Sequence, residues 1–204
     1  MSTAGLFDTK KQLTFYGAYH NNPINIAIHI VCVPLILWSA EVLTNSFPVP
    51  DVLPHVYHKL NDYMIFDLNF PVLLITGYLA YYFALDPVAA LLYLPTAITS
   101  VLTARAFADR PNAVIEAATV HAVCWVAQFI GHGVAEKRAP ALLDNIIGAL
   151  VLAPFFVHFE ILFALGYRPQ LHHDIKNSIG VEIAKIRKIE GDKKRAASGK
   201  DKDI

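Results

Sequence analysis

Five long apolar stretches, at residues 24–43, 64–85, 88–108, 112–132 and 142–165, decide what this chain can fold into. Each approaches the twenty or so residues that a helix needs to span the hydrocarbon core of a bilayer. In lipid, every backbone polar group must be satisfied within its own segment, so the expected class is all-α, a polytopic transmembrane helical bundle. Composition agrees, since 55% of the 204 residues are hydrophobic and only 17% are charged. The formal net charge is zero and the basic residues gather at the two ends, so no nucleic acid partner is expected. Cys32 and Cys124 lie in apolar runs without CxxC spacing and read as small core residues.

Local signals set the boundaries. Met1 to Leu13 lacks the apolar core and cleavage site of a signal peptide. Phe15, Tyr16 and Tyr19 before Asn21-Asn22-Pro23 read as a short interfacial helix ending in a turn. Residues 44–62, with Pro48, Pro50 and Pro54, read as an external loop, and His55 and His58 as solvated residues within it. Asp86-Pro87 marks a turn, Arg105, Asp109 and Arg110 an interfacial anchor, and Asn112 a helix N-cap. Residues 136–140 read as a charged hinge. After Tyr167, Ile179, Ile183, Ile186 and Ile189 recur at helical spacing opposite Lys185, Arg187 and Lys188, which predicts an amphipathic helix on an anionic membrane surface. Residues 191–204 read as a solvated tail. Basic termini put both ends in the cytosol and require an even number of crossings. With five apolar segments, and about four to six membrane segments in all, one is re-entrant, short of crossing or split.

Polar side chains inside these runs are the functional signal, because they are expensive in hydrocarbon unless paired. His29 lies four residues from Asn25; His121, Gln128, His132 and Glu136 share one helical face; His158 neighbours Glu160, and His20 joins from the interfacial turn. A lone histidine is more often structural, but four or five in one small bundle favour a metal, and imidazole suits iron, copper, zinc or nickel. Eleven residues separate His121 from His132, about 16 Å along a straight helix. They cannot share an ion unless the helix breaks near Gly131 and Gly133, another element completes a site for each, or only one of them binds. The alternative is a non-enzymatic membrane protein, in transport or assembly, whose histidines relay protons or brace helices.

Two motifs carry a resemblance. Phe15-Tyr-x-x-Tyr-His-x-x-Pro-x-Asn-x-x-x-His, followed by Pro34 and Trp38, and Trp125-x-x-Gln-Phe-Ile-Gly-His-x-x-x-Glu-Lys-Arg-x-Pro-Ala-Leu, followed by Ala153-Pro-Phe-Phe, resemble the fungal 2-hydroxy fatty acid dioxygenase family across most of residues 8–168. The resemblance implies a multi-pass endoplasmic-reticulum enzyme of phytosphingosine degradation. Such an enzyme uses Fe(II) and dioxygen to shorten a 2-hydroxy fatty acid by one carbon. It implies His20, His29, His121 and His132 as metal ligands. Glu136, Gln128 and Asn25, with Glu160, are then expected to orient the imidazoles, and the acyl chain to lie between helices in the bilayer. On this reading residues 1–168 form the membrane-embedded catalytic bundle, and residues 169–204 an amphipathic helix with a flexible basic cytosolic tail.

Overall fold

The structure is a computed structural model that describes residues 5–137 and 146–200. It is a helical bundle of α1 (Thr9–Tyr19), α2 (Pro23–Leu43), α3 (Phe70–Leu85), α4 (Pro87–Ala108), α5 (Ala113–Ile130), α6 (Ile146–Ala164) and α7 (Pro169–Lys200). A π-helical turn, Gly131–Glu136, continues α5. Three helical segments, Pro23–Leu43, Pro87–Ala108 and Ala113–Glu136, are long and apolar enough to cross a membrane; Phe70–Leu85 and Leu150–Ala164 are apolar but shorter. Apolar side chains such as Val31, Ile115, Val123 and Val126 face outward. An outward apolar surface on an already apolar helix suits lipid rather than water.

Helix starts follow their side chains. Asn22 caps α2, Asn69 caps α3 and Asp86 caps α4, each accepting a backbone N–H from the first turn, with a proline close behind. Asn112 precedes α5 but makes no capping hydrogen bond, so its sequence signal is only positional.

The expected loop at residues 44–62 is a loop only in part. Strands β1 (Tyr57–Asn61) and β2 (Met64–Asp67) form an antiparallel hairpin with a register shift between Lys59 and Asn61. The apolar run from residue 64 therefore starts as a strand, and helix begins only at Phe70. Arg105, at the end of α4, donates to Asp67 at 2.8 Å and anchors this hairpin.

At the opposite end α1 lies across the bundle. Thr9 Oγ1 donates to the Leu85 carbonyl at the end of α3 (2.6 Å), and the far end of α1 delivers His20 next to α2. Glu136 reaches Asn21 and Asn22 at the start of α2, and Arg168, after α6, pairs with Asp86 at the start of α4. α2 to α5 thus run alternately away from and back to the α1 end. Lys137, closing the π turn, and Arg168, after α6, both lie at that same end. The hinge and the start of the fifth apolar run, beyond Lys137, lie outside the described residues.

The isoleucine stripe of α7 has a different partner from the expected membrane surface. Ile183 and Ile186 pack on Phe15, Ala18 and Tyr19 of α1, and Ile179 joins the main core, while Ile189 remains exposed. Helix also continues through Lys200, across residues that read as a solvated tail. The core itself centres on Tyr82, fully buried and stacked on Phe155 at 4.2 Å, with its hydroxyl donating to the Val151 carbonyl.

Asp86 serves three groups at once: the α4 N-terminus, Tyr167 and Arg168. The Asp86→Ala substitution is expected to destabilise the bundle by about 1–2 kcal/mol through the lost cap alone. Thermal unfolding in detergent measures it, and Arg168→Ala, at a half-exposed position, should cost less.

Candidate metal centre

Three of the four sequence-predicted histidine ligands converge. His20 follows α1, His29 sits one turn and a half into α2, and His132 lies in the π-helical turn. Their ring centroids stand 4.4, 4.7 and 5.0 Å apart, all three rings meeting edge to face. Each is at least 95% buried. One donor nitrogen from each lies within 4.8 Å of the others. Three nitrogens bound to one ion at about 2.1 Å stand at most about 4.2 Å apart, so the spacing is close to that of a ligand set.

Backbone carbonyls fix the rings. Nδ1 of His20 donates to the Tyr16 carbonyl and Nδ1 of His29 to the Asn25 carbonyl, both at 2.9 Å and both four residues back. With the proton on Nδ1, Nε2 keeps its lone pair for a metal. Burial, and then the neighbouring His29 ring, hold the His20 imidazole well below its ordinary range, so it is neutral and can ligate. Tyr16 also stacks on His20 at 4.4 Å. Sequence reading missed that role, although the four-residue step from Tyr16 to His20 repeats that from Asn25 to His29.

Glu136 does not orient an imidazole as expected. Its Oε1 accepts the backbone N–H groups of Asn21 and Asn22 at 2.6 Å, and the Asn25 amide at 3.3 Å. The carboxylate sits on the N-terminus of α2, where unpaired N–H groups and the helix dipole favour an anion. Asn22 returns a hydrogen bond to the Ala135 carbonyl. Asn25, fully buried, thus supports His29 through its backbone and Glu136 through its side chain. Gly131 makes the close approach possible, because a Cβ there would stand 2.5 Å from Asn25 Oδ1. The helix does not break at its glycines; it widens into a π turn, closed by Lys137 in the left-handed region with its N–H on the His132 carbonyl.

His121 is not in the group. Its Nδ1 pairs with Ser39 Oγ at 3.0 Å and its Nε2 accepts from Trp125 Nε1 at 2.9 Å, so both ring nitrogens are engaged. His158 bonds the Ala89 carbonyl and ties α6 to α4. Glu160 is also outside the group, and His55 and His58 are exposed in and beside the hairpin. Among the described residues, His20, His29 and His132 are the one cluster that could hold a metal.

A cavity of about 330 Å³ opens from this cluster. Its walls are mostly apolar, with Val33, Ile36 and Leu37 of α2, Leu74 and Tyr78 of α3, and Ala153 of α6. Gln128 lines it beside the histidines, and its buried Nε2 has no hydrogen-bond partner. Three buried imidazoles, two of them fixed by carbonyls, at the wall of a cavity suit a divalent transition metal such as Fe(II) with positions left for other ligands.

The fold and site define a polytopic helical membrane protein with a buried three-imidazole group at the head of an apolar slot. The family model described as 2-hydroxy-palmitic acid dioxygenase Mpo1-like matches residues 6–165, which include every residue of the site. The chain is 33% identical over 189 residues, 90% of its length and 96% of the relative's, to 2-hydroxy-palmitic acid dioxygenase MPO1 of Saccharomyces cerevisiae. It belongs to the Mpo1-like family. No solved structure matches it.

Removing the Glu136 carboxylate should loosen the turn that joins His132 to His20 and His29. Glu136→Ala is expected to weaken metal binding by about 10–100-fold, the range for groups that support ligands. Anaerobic Fe(II) or Co(II) titration measures it, and Glu136→Gln, which can still accept, should lose less.

Proposed function

We propose that this chain is an Fe(II)- and dioxygen-dependent 2-hydroxy fatty acid dioxygenase that shortens its substrate by one carbon. The observation that carries the reading is the buried histidine trio at the head of an apolar slot, in a chain of the Mpo1-like family. With dioxygen as sole oxidant the balance closes as R–CH(OH)–COOH + O2 giving R–COOH, CO2 and water. The C1–C2 bond breaks and no external reductant is consumed.

His20, His29 and His132 would hold the iron. When bound, Fe(II) supplies the one-electron chemistry that lets dioxygen react with a closed-shell acid. The three imidazoles bring no negative charge, so the substrate carboxylate supplies it. Gln128 lines the slot beside the histidine cluster, where its amide would donate to that carboxylate. Tyr16 and Asn25 hold the two ring tautomers by their carbonyls, and Glu136 holds the turn they depend on. The apolar walls exclude water and take the acyl chain, which passes from bilayer to slot with little change of environment. Phe129 and Leu150 line the slot and are 49% and 41% exposed, which favours entry sideways from lipid between α5 and α6.

His121 stays out of this ligand set, because its nitrogens are committed to Ser39 and Trp125. The endoplasmic-reticulum membrane follows from the fungal family that the motifs resemble. Cytosolic termini are supported by the basic residues near both ends and by the packing of α7 on α1.

Purified protein loaded anaerobically with Fe(II) and given 2-hydroxyhexadecanoic acid should consume oxygen and release pentadecanoic acid and CO2. Alanine at His20, His29 or His132 should lower turnover by about 100-fold or more, beyond the loss expected for a supporting group. Protein that holds no iron and consumes no oxygen would favour the non-enzymatic alternative.

A further inference from the structure

α2 and α5 present matched faces to the slot. His29, Val33, Ile36, Leu37 and Ala40 line it from α2; His121, Trp125, Gln128, Phe129 and His132 line it from α5 and its π turn. Each set spans eleven residues, and the helices run in opposite directions, so His132 faces His29 while His121 faces Ser39 and Ala40. The distance from one end to the other is about 16 Å by helical rise. An extended chain advances about 1.2 Å per bond, taking three bonds per peptide residue, so the slot holds about 14 bonds. That is the length from C2 to the terminal methyl of a sixteen-carbon acid whose carboxylate and 2-hydroxyl lie at the histidine cluster.

The far end is closed by polar side chains that have nothing left to offer a ligand. Trp125 Nε1–H can only donate, so His121 Nε2 accepts and the ring proton sits on Nδ1. Nδ1–H donates to Ser39 Oγ, and the Ser39 hydroxyl donates to the Ile36 carbonyl. Ser39 is fully buried. A network satisfied throughout is stiff, and it presents ring carbons rather than free donors to the cavity.

We propose that the His121–Ser39–Trp125 network, with Ala40 beside it, is the end-stop that measures acyl chain length. This rests on the dioxygenase reading for the identity of the head group, and assigns His121 to specificity instead of metal binding. Because every donor there is engaged and Ser39 is buried, the stop also discriminates against acids with a hydroxyl at the far end, whose polar group would be buried unpaired.

The test compares wild type, Ala40→Leu and His121→Ala on saturated 2-hydroxy acids of ten to twenty-four carbons. Equilibrium binding to the detergent-solubilised protein, by displacement of a fluorescent fatty acid, is read alongside turnover and iron content. Ala40→Leu shortens the slot and should lower the ratio of sixteen-carbon to twelve-carbon affinity by about 10-fold, within the range set by a methylene in an apolar pocket. His121→Ala lengthens it and should raise the ratio of twenty-carbon to sixteen-carbon affinity, with iron content unchanged. Because the two variants shift the profile in opposite directions, loss of folding in one leaves the other decisive. Unchanged length profiles in folded variants that still turn over would overturn the end-stop, as would loss of iron from His121→Ala. Shifted binding profiles in a protein without turnover would uphold the end-stop and count against the dioxygenase reading alone.

Discussion

A single carboxylate oxygen joins the two halves of the site. Oε1 of Glu136, at the end of the π turn, receives the backbone N–H groups of Asn21 and Asn22 and the amide of Asn25. Those groups belong to the turn between α1 and α2 and to the first turn of α2, with His20 on one side and His29 on the other. Together with the Asn22 bond to the Ala135 carbonyl and the close approach of Gly131 to Asn25, this contact sets His132 against the other two imidazoles. The bond is charge-assisted and falls on unsatisfied helix N-terminal donors, where an anion gains most.

The rest of the architecture follows from satisfying polar groups inside an apolar bundle. Carbonyls of Tyr16 and Asn25 take the Nδ1 protons of His20 and His29, and Ser39 and Trp125 saturate His121. Glu41, fully buried on α2, receives the Ser100 hydroxyl from α4. These polar side chains either brace a neighbouring helix or stand at the cavity, whereas Thr76 and Thr119 bond carbonyls of their own helices. On the proposed reading the division is functional as well: the three clustered histidines would form the reactive end, while His121, with both nitrogens engaged, would form a wall. α1, pinned to Leu85 at its start and covered by α7, holds His20 over the cavity from outside the membrane-crossing helices.

Much of this was legible in the chain, for identifiable reasons. Apolar length gave the bundle, and the helical face shared by His121, Gln128, His132 and Glu136 pointed to one wall of a site. The rise per residue already argued that His121 and His132 do not share an ion on a straight helix, although the family resemblance kept both as ligands. The partner of each polar residue was less visible. Glu136 reads equally as a neighbour of imidazoles or as an anion at a helix start, and only the tertiary approach at Gly131 separates the two. Ser39 looks like an incidental small residue within an apolar run. The β1 strand has every residue exposed and so lacks the alternation that reveals a strand. The isoleucine spacing of α7 gives an apolar stripe but does not say whether lipid or α1 covers it.

On the proposed reading the metal is held by three imidazoles, those of His20, His29 and His132, and not by four. Iron-edge X-ray absorption of the anaerobically loaded protein counts them directly. Three imidazole ligands are expected in the wild type, the same three in His121→Ala, and one fewer in His29→Ala. A His121→Ala spectrum that has lost an imidazole, or a His29→Ala spectrum that has lost none, would contradict it.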